Sequence, residues 1–224
     1  MPKPFVQLTI GEFETLVRDF QFKREIDSIH MHHTWKPRQS DYKGRSTIDG
    51  MWEYHTETNN WSDIAQHITI APDGSIWTGR SWNQSPASST GYNGTSKKGP
   101  FMFEMIGDFD TGKEKLGGSQ RESVIRVILS LMEKFGLDIS QLRFHHQLGS
   151  SKSCPGSAID YAKFCDEVVA TRDSQERSPG TRSRSVGSSP VPAKKLIRKR
   201  LTQTILPSTR LASAHCLGSS STMR

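Results

Sequence analysis

Two short runs hold the side chains best suited to chemistry: His32-His33-Thr34-Trp35, and His145-His146-Gln147 leading to Ser153-Cys154-Pro155-Gly156. One imidazole from each pair plus the thiolate makes a soft three-ligand set that suits Zn²⁺ and leaves a fourth tetrahedral position for a water. That open position is the mark of a catalytic rather than a structural metal. A lone histidine at a strand end is ordinary, and the spacing His145-x8-Cys154 alone is looser than a zinc finger. The signal is the combination of two His-His pairs, each closing a short apolar stretch, with a Cys-Pro-Gly after the second.

For these residues to meet, strands must deliver them. Ile26 to His32 alternates apolar residues at Ile29 and Met31 and predicts a strand ending at His32, while Leu142 to His145 predicts another ending at His145. Ahead of the first, Thr9 and Glu12 have capping-box spacing, and Phe13, Leu16, Val17 and Phe20 predict an amphipathic helix. Lys36 to Arg45 reads as a loop, followed by a helix starting near Ser46 or Thr47 with Ile48, Met51 and Trp52 on one face. Ile64 to Ile70 and Ser75 to Arg80 flank Pro72-Asp73-Gly74, a strong hairpin signal. Phe101 to Ile106 predicts a further strand bounded by glycines. Ser119 and Glu122 repeat the capping-box spacing ahead of the longest helical pattern, Val124 to Phe135, and Ser157 to Val169 predicts a closing helix. Strands interleaved with helices predict an α/β domain with a central mixed β-sheet flanked by helices.

Charge divides the chain. It carries 30 Lys and Arg against 23 Asp and Glu, a net +7 over 224 residues. From residue 171 onward there are eleven Lys or Arg against Asp173 and Glu176, a net +9 that leaves the first 170 residues at −2. This Ser-, Pro- and Arg-rich stretch has too little apolar content to offset its ordering entropy and is expected to be a largely disordered tail. The expected organisation is therefore an N-terminal helix over 1–25 packed on the domain, a catalytic domain over 26–170, and the tail over 171–224. A basic tail invites a nucleic-acid partner, but a structural zinc would close with four protein ligands, and that reading is not favoured. Of three cysteines, Cys154 is the ligand candidate, Cys165 falls in an apolar helical pattern and Cys216 lies in the tail; they are too few for a disulfide framework. The N-terminus has no apolar signal core, and no stretch approaches the roughly 20 apolar residues of a membrane span. The expectation is a soluble protein, monomeric, made in the cytoplasm without a signal peptide.

In the order His32-His33-Thr34, Trp61-Ser62-Asp63-Ile64, Asp73-Gly74 to Gly79-Arg80, Gly91-Tyr92-Asn93, Glu104-Met105-Ile106-Gly107 and His145-His146 to Lys152-Ser153-Cys154-Pro155, the chain resembles the zinc-dependent N-acetylmuramoyl-L-alanine amidases of the phage-lysozyme and peptidoglycan-recognition type. The resemblance runs from about Ile26 to about Val169. It implies that His32, His145 and Cys154 bind zinc, that zinc-activated water attacks the amide joining N-acetylmuramic acid to L-alanine, and that Lys152, two residues before the cysteine, stabilises the oxyanion. Peptidoglycan is the implied partner. Where many relatives carry a tyrosine, this chain has Gln66, which donates a hydrogen bond but cannot work as an acid or base. Glu104 is then the candidate base, since a carboxylate among Phe101, Met102, Phe103, Met105 and Ile106 needs a polar partner to be tolerable. Thr34, Trp35, Gln66, Arg80 and Asn93 are the residues expected around the substrate, Trp35 as a wall for a sugar ring. His33 and His146 are expected beside the site rather than as ligands, and His30, His55 and His67 as ordinary buried histidines. A recognition module that binds muropeptides without cutting them is the alternative, and the presence of Cys154 with both histidines argues for catalysis. Without an export signal, such an enzyme is expected to reach the cell wall by lysis-dependent release.

Overall fold

The structure, a computed structural model, describes residues 3–177. A six-stranded mixed sheet runs in the order β1-β4-β3-β5-β2-β6, with β1 Gln7–Leu8, β2 Glu25–His33, β3 Ile68–Ile70, β4 Ile76–Thr78, β5 Lys98–Met105 and β6 Leu142–Phe144. β3, β5, β2 and β6 pair in parallel, while β1 and β4 make the antiparallel edge. Four α-helices join them: α1 Ile10–Asp19, α2 Arg45–Glu53, α3 Gly118–Phe135 and α4 Tyr161–Arg177. This is the α/β architecture expected from the sequence.

One face of the sheet is sealed by helices. Ile29 and Met31 of β2 and Phe101 and Phe103 of β5 are fully buried with Phe13 and Val17 of α1, Val124, Ile128 and Leu131 of α3, and Phe164 and Val168 of α4. Side chains alternate along a strand, so burying Ile29 and Met31 turns His30 and His32 to the opposite face. A smaller cluster of Phe5, Ile48, Met51, Ile64, Trp77 and Ile106 seats α2 beside that second face. Between them Gln120 of α3 reaches through to donate to the carbonyls of Ile70 (3.1 Å) and Ile106 (2.8 Å), tying two strand ends to the longest helix.

Several boundaries differ from the sequence pattern, each for a local reason. Thr9 and Glu12 do form a reciprocal capping box on α1, but α3 begins at Gly118 behind Gly117 with no side-chain cap. Ser119 lies inside α3, packed so closely on Gly74 (φ +83) that a Cβ there would sit 2.9 Å from it, which is why the hairpin turn carries glycine. The strand expected over Ile64 to Ile70 is regular only from Ile68, because the Arg80 guanidinium takes the carbonyls of Ile64 (2.8 Å) and Asp63 (3.1 Å). The closing helix starts at Tyr161 rather than Ser157; Ser157 and Ala158 instead donate to Asp110 Oδ1 and Phe109 O from the loop before it. It then continues to Arg177, so 171–177, assigned to the tail by composition, are helical. The rest of the tail, with Cys216, lies outside the described residues. No helix among them is long and apolar enough to cross a membrane.

Candidate active site

His32 sits near the end of β2, and its Cα partner across the parallel pairing is Glu104 of β5, which in turn pairs with Thr69 of β3. Three adjacent strands thus place His32, Glu104 and Thr69 side by side on the face away from the main core. His145 follows β6 in a single 3-10 turn, His145–Gln147, rather than ending the strand. The ring centroids of His32 and His145 lie 4.3 Å apart. With Cys154 they form a group whose ligand atoms all fall within 4.8 Å of one another.

The electrostatics suit a cation. Burial, then the neighbouring His145, hold His32 well below the ordinary histidine pKa, so it is neutral and able to ligate. Burial pushes the Cys154 thiol up to about 12; only a cation beside it makes the thiolate affordable. The backbone N–H of His33 already donates to Cys154 Sγ at 3.3 Å. Ser89 Oγ lies 3.3 Å from Nε2 of His32, leaving Nδ1 for a ligand. Two nitrogens and one sulfur converging on a point, with neutral imidazoles and a thiol that burial keeps protonated until a metal displaces the proton, fit a zinc ion.

The three donors lie on the wall of a cleft of about 1370 Å³, which Glu104, Lys152, Thr34 and Trp35 also line. The Glu104 carboxyl is raised to about 7 by burial, with Lys152 pulling the other way. Trp35 stands 56% exposed at the rim with φ 58, a left-handed conformation unusual for a bulky residue. It is held there by Thr34 N donating to Met105 O (2.9 Å) and Trp35 N donating to Gly107 O (3.0 Å). Such strain persists only where surrounding bonds over-determine it, and it concentrates at functional sites. The Thr34 hydroxyl is itself engaged, donating to Pro37 O at 2.6 Å and accepting from Gly107 N at 2.9 Å.

The other three residues expected around the substrate are set behind the wall. Gln66 is fully buried, donating to Thr69 Oγ1 at 2.8 Å, with its Oε1 unpartnered. Arg80 is spent on the backbone of Asp63 and Ile64. Asn93 accepts from Ser89 N at 2.9 Å and so fixes the hydroxyl beside His32. His67 is buried, accepting from Met102 N at 3.0 Å and bonding Gln84 O at 2.9 Å, the ordinary core histidine anticipated. His146 touches the ligand loop through Cys154 O, 3.1 Å from its Nδ1.

Three residues of the cleft wall escaped sequence reasoning as participants. Asp110 lines the cleft and accepts from Ser157 N at 2.8 Å, pinning the loop that carries Lys152 and Cys154. Nothing in Asp110-Thr111-Gly112 distinguishes that role from an ordinary turn. Tyr54 and His55 line the cleft from a π-helical turn, which has no signature in a single sequence.

Comparison with known proteins places this geometry. Peptidoglycan-recognition protein SC2 of Drosophila melanogaster is 24% identical over 112 residues, half of this chain and 58% of that protein; the chain thus spans just over half the length of the curated relatives it matches. Among solved structures, N-acetylmuramoyl-L-alanine amidase LysC from Clostridium intestinale URNW has a TM-score of 0.52 at 24% identity, covering 68% of this chain and 89% of LysC. A mutant of Drosophila PGRP-LB in complex with tracheal cytotoxin has a TM-score of 0.53 at 24% identity, covering 64% of this chain and 82% of its own. At such identities the structural likeness speaks for the fold alone. The N-acetylmuramoyl-L-alanine amidase family model, however, matches residues 22–157, the span that holds both histidines, Glu104, Lys152 and Cys154, and the chain belongs to that family.

Proposed function

We propose that the protein is a zinc-dependent hydrolase of peptidoglycan that cuts the amide between the lactyl group of N-acetylmuramic acid and L-alanine, acting as a monomer at the cell wall. The observation that carries this reading is the open donor set, in which His32, His145 and Cys154 converge within 4.8 Å on the wall of a wide cleft. A structural zinc would be closed by a fourth protein donor, and none joins this group among the described residues. A protein that only recognised muropeptides would have no need of Cys154.

When bound, zinc acidifies a water and polarises the scissile carbonyl. The chain's own groups do the remaining work. Glu104, poised near neutrality, takes a proton from the attacking water and returns it to the departing nitrogen of L-alanine. Lys152 sets a positive charge against the carbonyl oxygen as negative charge develops there. Trp35 offers a flat apolar face to substrate at the rim, and Thr34 holds that rim in shape. Asn93 acts through Ser89 to orient His32, while Gln66 and Arg80 shape the backbone behind Thr69 and Ile64 rather than touching substrate.

The test is metal exchange. Chelator-treated protein should release no new L-alanine amino termini from purified cell walls, and one equivalent of Zn²⁺ should restore release. Cleavage that persists in metal-free protein removes zinc from the mechanism. Metal uptake without any cleavage points instead to recognition alone.

A further inference from the structure

The loop that follows β2 brings Thr34, Trp35, Lys36, Pro37, Asp41 and Lys43 to the cleft, yet little of it is packed. Between His33 and Ile48 no residue is buried. Burial therefore fixes neither the path of this rim loop nor the pose of Trp35, and polar contacts must do so. At the far end Tyr42 leans on the smaller core cluster, its hydroxyl accepting from Trp77 Nε1 at 2.8 Å. At the near end the Thr34 hydroxyl is bonded to Pro37 O and Gly107 N. The middle, a single 3-10 turn over Gln39–Asp41, is held by side chains that lie outside the cleft.

Glu114 is the chief of these. One carboxylate oxygen accepts from Gln39 N at 3.0 Å and the other from Asp108 N at 2.8 Å, while Glu114 N donates to Asp108 O at 2.9 Å. A carboxylate that takes backbone amides from two separate segments clamps them together, and such charge-assisted bonds are roughly twice as strong as neutral ones. Gln39 adds a second hold. Its Nε2 donates to Gln120 Oε1 at 2.7 Å and Lys115 O at 3.2 Å, and Gln120 is the fully buried residue that ties the strand ends to α3. The neighbouring ion pair grips less well: Arg38 Nη2 stands 3.5 Å from Asp108 Oδ2, and neither that oxygen nor Arg38 Nε has a hydrogen-bond partner.

The turn over residues 108–114 is anchored elsewhere by different members. Phe109 O accepts from Ala158 N at 3.1 Å, Asp110 accepts from Ser157 N at 2.8 Å, and Thr111 N donates to Ser157 Oγ at 3.0 Å, all on the side of the metal-ligand loop. None of those bonds uses Glu114. The turn is thus a fixed post, and Glu114 is the arm that reaches from it to the rim. We propose that Glu114 is a positioning residue: lying outside the cleft, it clamps Gln39 to the 108–114 turn and so sets the rim loop against which substrate is held. The consequence for substrate rests on the amidase reading; the hold on the rim does not.

Glu114→Gln is the isosteric probe, because an amide has one acceptor oxygen and must turn its own N–H groups against the second donor. Gln39→Ala removes the other hold and leaves Glu114 intact. In the full chain, KM for a soluble muramyl peptide should rise at least about fivefold in both variants, with kcat and zinc affinity within about twofold of the parent, the pattern of lost hold on substrate rather than lost chemistry. Trypsin should cut after Arg38 and Lys43 at least about fivefold faster relative to sites elsewhere in the domain, which a merely unstable protein would expose alike. Mass spectrometry of the fragments reads this without turnover. If the parent turns nothing over, faster rim cleavage supports the clamp and counts against the amidase reading alone. Rim cleavage at the parental rate in both variants overturns the proposal. So does an unchanged KM in an active enzyme, or a fall in kcat or zinc affinity, which would give Glu114 to the metal-ligand loop instead.

Discussion

The two halves of the candidate centre are held by different means. His32 and Glu104 stand on adjacent parallel strands at matched register, over a layer in which Met31, Phe101 and Phe103 are fully buried. His145, Lys152 and Cys154 stand on loops. Their positions depend on a handful of bonds: His146 N to Cys154 O at 2.8 Å, Gly156 N to Ser153 O at 2.8 Å, Ala158 N to Phe109 O at 3.1 Å, and Ser157 N to Asp110 Oδ1 at 2.8 Å. A sheet position is over-determined by the core, whereas a loop position can be lost one contact at a time. The floor should therefore respond to mutation in its chemistry and the loop wall in its affinity for metal.

The largest effect is expected on the floor. Glu104→Gln keeps the shape of the side chain and removes the proton acceptor, so turnover on cell walls should fall about 10²- to 10⁴-fold. Zinc stoichiometry should stay as in the parent and the melting temperature should not fall, because a neutral amide is easier to bury than a carboxylate. If the variant loses zinc as well, the floor is not the independent platform described here. Near-parental rates would assign proton transfer to another group.

The wall gives a smaller effect of a different kind. Gly156 adopts φ +126, and a Cβ there would meet the Phe109 carbonyl oxygen at 2.4 Å. Gly156→Ala must displace the segment that carries Cys154, and zinc affinity should drop roughly 10- to 100-fold, as when other supports of metal ligands are removed. Competition with a chromogenic chelator measures this, and at saturating zinc much of the turnover should return. Unaltered affinity in a folded Gly156→Ala protein would mean that the loop is set by contacts other than these.

The same contrast explains what could be read from the sequence. His32 was legible because strand alternation is a rule of period two, and Ile29 and Met31 fix which way His32 must point. His145 was legible as a residue but not in conformation: Leu142-Arg143-Phe144 pairs as a strand, yet the Phe144 amide is taken by the Gln147 side chain at 2.9 Å and the chain turns. Side-chain capture of backbone groups, which no periodicity announces, likewise accompanies the irregular stretch before Ile68, where Arg80 takes two carbonyls. Arg80 and Asn93 are substrate candidates through the resemblance alone. Their partners, the carbonyls of Asp63 and Ile64 and the amide of Ser89, are matters of tertiary distance that spacing does not encode. The capping boxes make the point most directly, since Thr9 with Glu12 forms one and Ser119 with Glu122 does not, the helix having already begun at Gly118.

A titration of stability compares floor and surroundings with the smallest expected effect. His67, with both ring nitrogens bonded, is held by burial at about 3 despite the bond to Gln84, and His55 by burial at about 4. Both fall below the ordinary value near 6.5, so from about pH 6.5 downward the unfolded chain binds protons that the folded one refuses. Stability must then decrease with falling pH, by up to about 1.4 kcal/mol per unit for each group. The His55 share ends near pH 4 and the His67 share near pH 3. Glu104 works in the opposite sense: with its carboxyl raised to about 7 from 4.5, the folded chain takes a proton that the unfolded chain refuses, and stability rises as pH falls between those values. In zinc-free protein His30, also held at about 4, and His32 add to the loss over pH 4.5–6.5, Glu104 offsets about one histidine's share of it, and Glu104→Gln removes that offset and should steepen the slope by about one group's worth. Urea unfolding across that range tests this, and a Glu104→Gln protein whose stability stays flat would require that His67 or His55 carry a proton inside the fold.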